Sequence, residues 1–239
     1  MYIENPKTKG SGIICAIPQT GTCPVGCADC FFQSGRSFLE PLDEHLPNVP
    51  DFDTTGFVVR MNDGNDSNVQ RKVVLEEAAK HREVFFNTSM VVKLDEFPGP
   101  VVLTLNPGEM TDTEFHRLDP VPQNLMMTRF RVNSWNLNMA DAAIDHYTSR
   151  GASVVLTYMA YYGEAVPKEH HASYVFKQRT LNSYWVPTET TWNRIAQRRQ
   201  HNPLVFTCGR SATAYSCREC GGCLREYYAC KARLNNAHR

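Results

Sequence analysis

Gly12-Ile13-Ile14-Cys15-Ala16-Ile17-Pro18 is a short apolar run closed by proline. Gln19-Thr20-Gly21-Thr22-Cys23-Pro24-Val25-Gly26-Cys27-Ala28-Asp29-Cys30 follows it without a break. An apolar run of this length, ended by Pro18 and Gly21, reads as a buried strand. The loop behind it carries three thiols at C-x3-C-x2-C spacing. The rest of the chain decides what kind of sheet this strand opens.

Working outward, strand-like runs recur at Phe57 to Met61, Val84 to Asn87, Val101 to Asn106, Leu125 to Val132, Ser153 to Met159 and Leu204 to Cys208. Helical patterns alternate with them. One runs from an N-cap at Asp66 or Ser67 to about His81, and a short one spans Thr111 to Leu118. A third spans Asn138 to Arg150, where Gly151 stops it, and a fourth Thr188 to Gln200. A polar, proline-rich stretch up to about Thr55 and a long insert from Tyr161 to Pro187 lack periodicity and read as irregular. Strands alternating with helices predict parallel βαβ units. The expected fold is α/β, a partial (β/α)6-type barrel with mostly parallel strands over residues 1–207. A small cysteine-rich tail, 208–239, is too short for its own apolar core and is expected to need a metal. In parallel barrels ligands bind at the carboxyl ends of the strands, where the first cysteine loop falls.

Bulk composition narrows the function classes. With 42% hydrophobic and 21% charged residues the chain is an ordinary globular one, not a disordered one. Its net charge of zero gives no global pull toward nucleic acid or acidic lipid. No apolar run is long enough to span a bilayer, and the N-terminus lacks an export signal's apolar core, so a cytoplasmic protein with no membrane partner is expected. Nine cysteines fall mostly into two clusters in a chain that is neither small nor visibly secreted. That arrangement favours metal over disulfides.

The C-x3-C-x2-C loop can offer three thiolates to three corners of a cubane cluster, leaving one iron without a protein ligand. Zinc is the alternative; it wants four ligands in a closed tetrahedron, with Cys15 the nearest fourth. In the tail, Cys208-x8-Cys217-x2-Cys220-x2-Cys223-x6-Cys230 repeats the C-x2-C step of ferredoxin loops. Cys217, Cys220 and Cys223 supply three ligands, and Cys208 is preferred over Cys230 as the fourth because it ends the last strand. A second [4Fe-4S] cluster and a structural zinc both satisfy that set.

On Cys23, Cys27 and Cys30 directly after a first barrel strand, and on the β/α units that follow, the chain resembles the radical S-adenosylmethionine superfamily. The tail is more loosely similar to that of small radical-SAM-like proteins of phages and mobile elements. The first resemblance implies that Cys23, Cys27 and Cys30 ligate a [4Fe-4S] cluster whose open iron takes S-adenosylmethionine. Reductive cleavage would then give a 5′-deoxyadenosyl radical that abstracts hydrogen from a substrate. The family commonly has an aromatic residue before the last cysteine; here that position is Asp29, and Phe31 and Phe32 follow the cysteine instead.

The resemblance also implies a turn after the second strand that meets the amino group of S-adenosylmethionine, at Asn62, Asp63 and Gly64. An ordinary helix-capping Asn/Asp/Gly turn is the other reading. Alternation puts Arg129, Arg131 and Asn133 on one strand face. An inward arginine needs an anion, so Arg131 could meet a carboxylate, and Asn133 or Ser134 ribose hydroxyls. An internal ion pair with a glutamate such as Glu109 would serve equally. His170 and His171 read as a solvated loop, and Arg194, Arg198 and Arg199 as a solvated basic stripe. The expected function is a radical S-adenosylmethionine enzyme fed by a reductant such as a flavodoxin or ferredoxin, acting on an unknown small molecule, peptide or nucleic acid. A non-catalytic zinc or iron–sulfur protein and an electron-transfer protein are the alternatives.

Overall fold

The computed structural model describes residues 1–27, 30–35, 37–107, 116–180, 182–208 and 216–237. Among these residues, parallel strands β1 (Ile13–Ala16), β2 (Val58–Met61), β3 (Val84–Thr88), β4 (Val101–Leu105), β5 (Leu125–Val132), β6 (Val154–Tyr158) and β10 (Val205–Cys208) form one curled seven-stranded sheet, a half-barrel. Their order in the sheet is their order in the chain. With right-handed crossovers and no reversal of direction, every connection falls on the same face, which curls a sheet toward a barrel.

That outer face is covered by α2 (Arg71–Ala78), α3 (Leu137–Thr148) and α4 (Glu189–Gln197). Val74 and Ala78, then Ala140, Ala143, Ile144 and Tyr147, then Ile195, pack on Val59, Met61, Phe86, Leu103, Phe130 and Leu156. A four-residue α1 (Leu42–His45) belongs to the wrapping segment before β2. Local chemistry sets the ends of the helices. Thr188 caps α4, its hydroxyl accepting the Thr191 N–H at 3.2 Å, a cap that stabilises by about 1 kcal/mol. Gly151, at φ 76°, closes α3 with paired bonds from Gly151 N to Thr148 O and Ala152 N to Tyr147 O. The α2 helix begins later than expected, at Arg71. Asp66 uses its carboxylate on Asn68, Thr88 and Ser89 rather than on a helix N-terminus.

The segment after β6 departs from expectation. The insert after β6 is not irregular: β7 (Tyr161–Tyr162), β8 (Tyr174–Lys177) and β9 (Tyr184–Pro187) form an antiparallel sheet in the order β7-β9-β8, with a 3-10 turn at Lys168–Ser173. The expected helix at Thr111 to Leu118 lies mostly outside the described residues, and its last three, His116 to Leu118, are not helical.

The tail forms a short α5 (Cys217–Cys220) and a long α6 (Gly222–Ala237). The long α6 fills the inner face of the half-barrel. Tyr227 and Cys230, with Cys223, Leu224 and Leu234, pack on Ile13, Val58, Phe85, Val102, Met127 and Val155. The inner face is therefore layered. Its lower level is apolar and covered by α6. The next inward positions toward the carboxyl ends, Cys15, Arg60, Asn87, Thr104, Arg129, Arg131, Thr157 and Cys208, are polar.

Candidate functional site

The first cysteine loop leaves β1 at the carboxyl edge of the sheet, and polar side chains tie it down. Gln19 donates to the carbonyls of Asp66 and Val69, both at 2.9 Å, and receives Asn62 Nδ2 at 2.7 Å. Gln33 Nε2 holds the Cys23 carbonyl at 2.8 Å. Cys23, Cys27 and Cys30 are all half-buried, and all nine cysteines are free thiols. Burial pushes the Cys23 thiol up, and the charges of Asp66 and Cys30 add to that. Cys27 lies over the ends of β3 and β4, with its sulfur 3.9 Å from Ser89 Oγ and 3.7 Å from Asn106 Nδ2. Asn106 Oδ1 in turn accepts from Arg131 Nη1 at 3.2 Å. Arg131 therefore reaches the cysteine loop through one amide.

The tail thiols form a second electrostatically coupled group. Burial pushes Cys217 up to about 11, and the neighbouring charges of Arg60, Cys223 and Cys208 act on it. Burial also raises Cys223, against Arg129 and Arg60, while Cys208 and Cys220 raise it further. Cys230 stands apart in the core, its sulfur against the carbonyls of Gln123 and Asn124. Its charged neighbours are Arg233 and Glu226. Cys15 is pushed up to about 12 by burial and is turned to Arg60, at 3.3 Å, and Thr8, at 3.6 Å.

The donors suit a thiolate-bound metal in type: one loop carries three free thiols, and the last strand and tail carry five, of which Cys208, Cys217, Cys220 and Cys223 are the expected ligands. Among the described residues, no group of three His, Cys, Asp or Glu side chains is gathered tightly enough to hold an ion. Loading would require the buried thiols to lose their protons and draw in.

The other candidate residues hold the protein's own structure. Asn62 is buried, receives the Ser67 hydroxyl on Oδ1 and donates to Gln19 and to the Gly64 carbonyl. Asp63 pairs with Arg60 and Asn5. Gly64 lies against the Phe32 ring. Asn133 Nδ2 donates to Tyr161 Oη at 3.1 Å, and the Ser134 N–H donates to Tyr174 Oη at 3.2 Å. The two residues thus fasten the insert to the end of β5. His170 is half-buried and engaged: its Nδ1 is 2.8 Å from Ser134 Oγ, and its ring meets Trp135. Arg198 and Arg199 are ion-paired to Asp141, and Arg199 also to Asp145, joining α4 to α3. Glu109 lies outside the described residues.

Sequence reasoning did not single out Asn106 and Gln19 and took Asp66 only for a helix cap, yet all three organise the loop. Each lies in the segment that leaves a strand's carboxyl end, and that position was the available signal. Among the described residues no helix is long and apolar enough to cross a membrane. No protein-family model, no curated protein and no solved structure matches the chain.

Proposed function

We propose that the chain is a radical S-adenosylmethionine enzyme built on a partial (β/α)6-type barrel, working in the reducing cytoplasm. Supporting this reading is the position of Cys23, Cys27 and Cys30: one loop that follows β1 and reaches over the carboxyl ends of β3 and β4 of a sheet wound in one direction. Those three thiols would hold a [4Fe-4S] cluster. With S-adenosylmethionine bound and one electron given by a flavodoxin or ferredoxin, such a cluster would supply reductive cleavage of the sulfonium to methionine and a 5′-deoxyadenosyl radical for hydrogen abstraction.

The chain's own groups prepare the site. Asn106 offers an amide N–H to the Cys27 sulfur. Arg131 fixes the orientation of that amide. The Asn62 to Gly64 turn, committed to internal partners, shapes the floor under the loop. Asn133 and Ser134 hold the insert beside it, and Tyr162 and Asn182 reach Ser34 and Gly35 of the loop segment. Cys208, Cys217, Cys220 and Cys223 would hold a second cluster or a zinc ion.

Anaerobic reconstitution tests the reading. The expected product is a brown protein with about four irons, or about eight with a second cluster. Reduced with dithionite, it converts S-adenosylmethionine to 5′-deoxyadenosine, and Cys23→Ala, Cys27→Ala or Cys30→Ala abolishes that conversion. A colourless protein with stoichiometric zinc supports a binding role instead. A brown protein inert toward S-adenosylmethionine supports electron transfer.

A further inference from the structure

β5 sends two arginines to the inner face, and they meet different surroundings. Arg131 is held by Asn106 at the cysteine-loop end. Arg129 lies one inward position deeper, in register with Thr104 of β4 and Val155 of β6. It is half-buried and, among the described residues, makes no hydrogen bond or ion pair. Its Nε is fully buried without an acceptor. The Thr157 hydroxyl on the adjoining strand, in register with Arg131, is likewise buried and without a partner. Asp63, in the turn after β2, is already paired with Arg60. The thiol that feels the charge of Arg129 most clearly is Cys223.

A buried guanidinium N–H without an acceptor is destabilising, because its lost hydration is not replaced. Nothing in the packing requires an arginine here, because the neighbouring inward positions on the same face are filled by Met127, Val102 and Val155. The planar Nε/Nη edge matches two oxygens of a carboxylate or phosphate, and a lysine would not match it in the same way. A hydroxyl on the next strand, on the order of 7–8 Å away along the diagonal, is within reach of the same bound group.

We propose that Arg129 anchors an oxyanion-binding subsite on the inner face of the half-barrel. A carboxylate or phosphate of a bound molecule takes paired hydrogen bonds from the Nε and an Nη of Arg129 and a further one from the Thr157 hydroxyl. That molecule would lie between the Asn106–Cys27 end of the site and the tail cysteines. The subsite rests on the fold alone and stands whether or not Cys23, Cys27 and Cys30 carry a cluster.

The test is NMR of the arginine Nε–H groups in the full, metal-free chain labelled with [15N]arginine. The Arg129 signal is assigned by its loss in Arg129→Lys, and Arg131 serves as internal reference. Inorganic phosphate and acetate are titrated separately at constant ionic strength. The expected result is a saturable shift of the Arg129 Nε–H with at least one of them, weakened about tenfold or more in Thr157→Val or when read by calorimetry on Arg129→Lys. A stronger response to phosphate assigns a phosphate-bearing ligand, and a stronger response to acetate a carboxylate. An Arg129 signal unmoved by either anion overturns the proposal. So does a signal that moves only when zinc is added and stays still in Cys223→Ala, because Arg129 would then be a counter-ion to the thiolates.

Discussion

The ring of Phe32 occupies the space beside Gly64 into which any side chain at that position would have to grow. Phe32 is two residues past Cys30 and belongs to a small cluster with Ile17, Leu39 and Leu42. One aromatic ring therefore presses the cysteine loop onto the turn that follows β2. A methyl group at position 64 would overlap three ring atoms, so either the ring or the turn must move. Gly64→Ala is expected to destabilise the protein by about 1–3 kcal/mol, the usual cost of overpacking. Urea denaturation checks it, read as a lower midpoint at unchanged slope. Phe32→Leu in the Gly64→Ala background should recover part of the loss; no recovery would mean that the strain lies elsewhere.

Asn106 carries the second prediction. It stands between Arg131 and Cys27, and a partner that orients a metal ligand typically matters 10–100-fold for affinity. Asn106→Ala should still fold, because Asn106, although buried, lies past the end of β4 and outside the apolar clusters. It should retain about tenfold less iron against a competing chelator than wild type. Equal iron retention with equal thermal stability would show that the amide leaves the loop unaffected.

Much of the scaffold was legible because period and punctuation agreed. Leu125 to Val132 was recovered residue for residue, and Gly151 stopped α3 where its left-handed conformation allows a helix to close. The placement of α6 was not legible, although Cys223, Tyr227, Cys230 and Leu234 repeat at helical spacing. Two of those four are cysteines, and chemistry that suggests metal conceals an apolar stripe. The insert was lost for a different reason. Its strands are held by tyrosine hydroxyls reaching Asn133 and Ser134, contacts between residues 28 and 40 positions apart that no local pattern announces. The cysteine loop was legible as a donor set, while its supports were not. Gln19, Asp66 and Asn106 look like ordinary turn residues until the strands bring them together.

Those tyrosine contacts give the third prediction. Tyr161→Phe and Tyr174→Phe each remove one hydrogen bond between the insert and the end of β5, worth about 1 kcal/mol. Faster hydrogen exchange is expected in β7, β8 and β9, with protection of the parallel sheet unchanged. If both sheets lose protection together, the insert is not a separately opening unit.

The last prediction concerns how α6 is latched. Glu83, just before β3, accepts hydrogen bonds from Tyr227 Oη and Lys231 Nζ, each at 2.6 Å. Burial alone would raise its carboxyl; the bonds and charge from Lys231 and Tyr227 outweigh that and hold it below its ordinary value of about 4.5. A carboxyl depressed in the folded state binds fewer protons there than in the unfolded chain. Its contribution is complete above the ordinary value and disappears as pH falls through the depressed one. The latch should therefore hold at neutral pH and release in acid, loosening α6 first and exposing the apolar layer of Ile13, Val58, Phe85 and Val155 beneath it. Glu83→Gln should be less stable than wild type at pH 7, and the difference should shrink toward pH 3. Hydrogen exchange across Gly222–Ala237 as a function of pH is the measurement, made on chelator-treated protein so that no metal contributes. If α6 loses protection on chelation at neutral pH in wild type, the tail is held by its metal and not by this latch and the apolar layer under it.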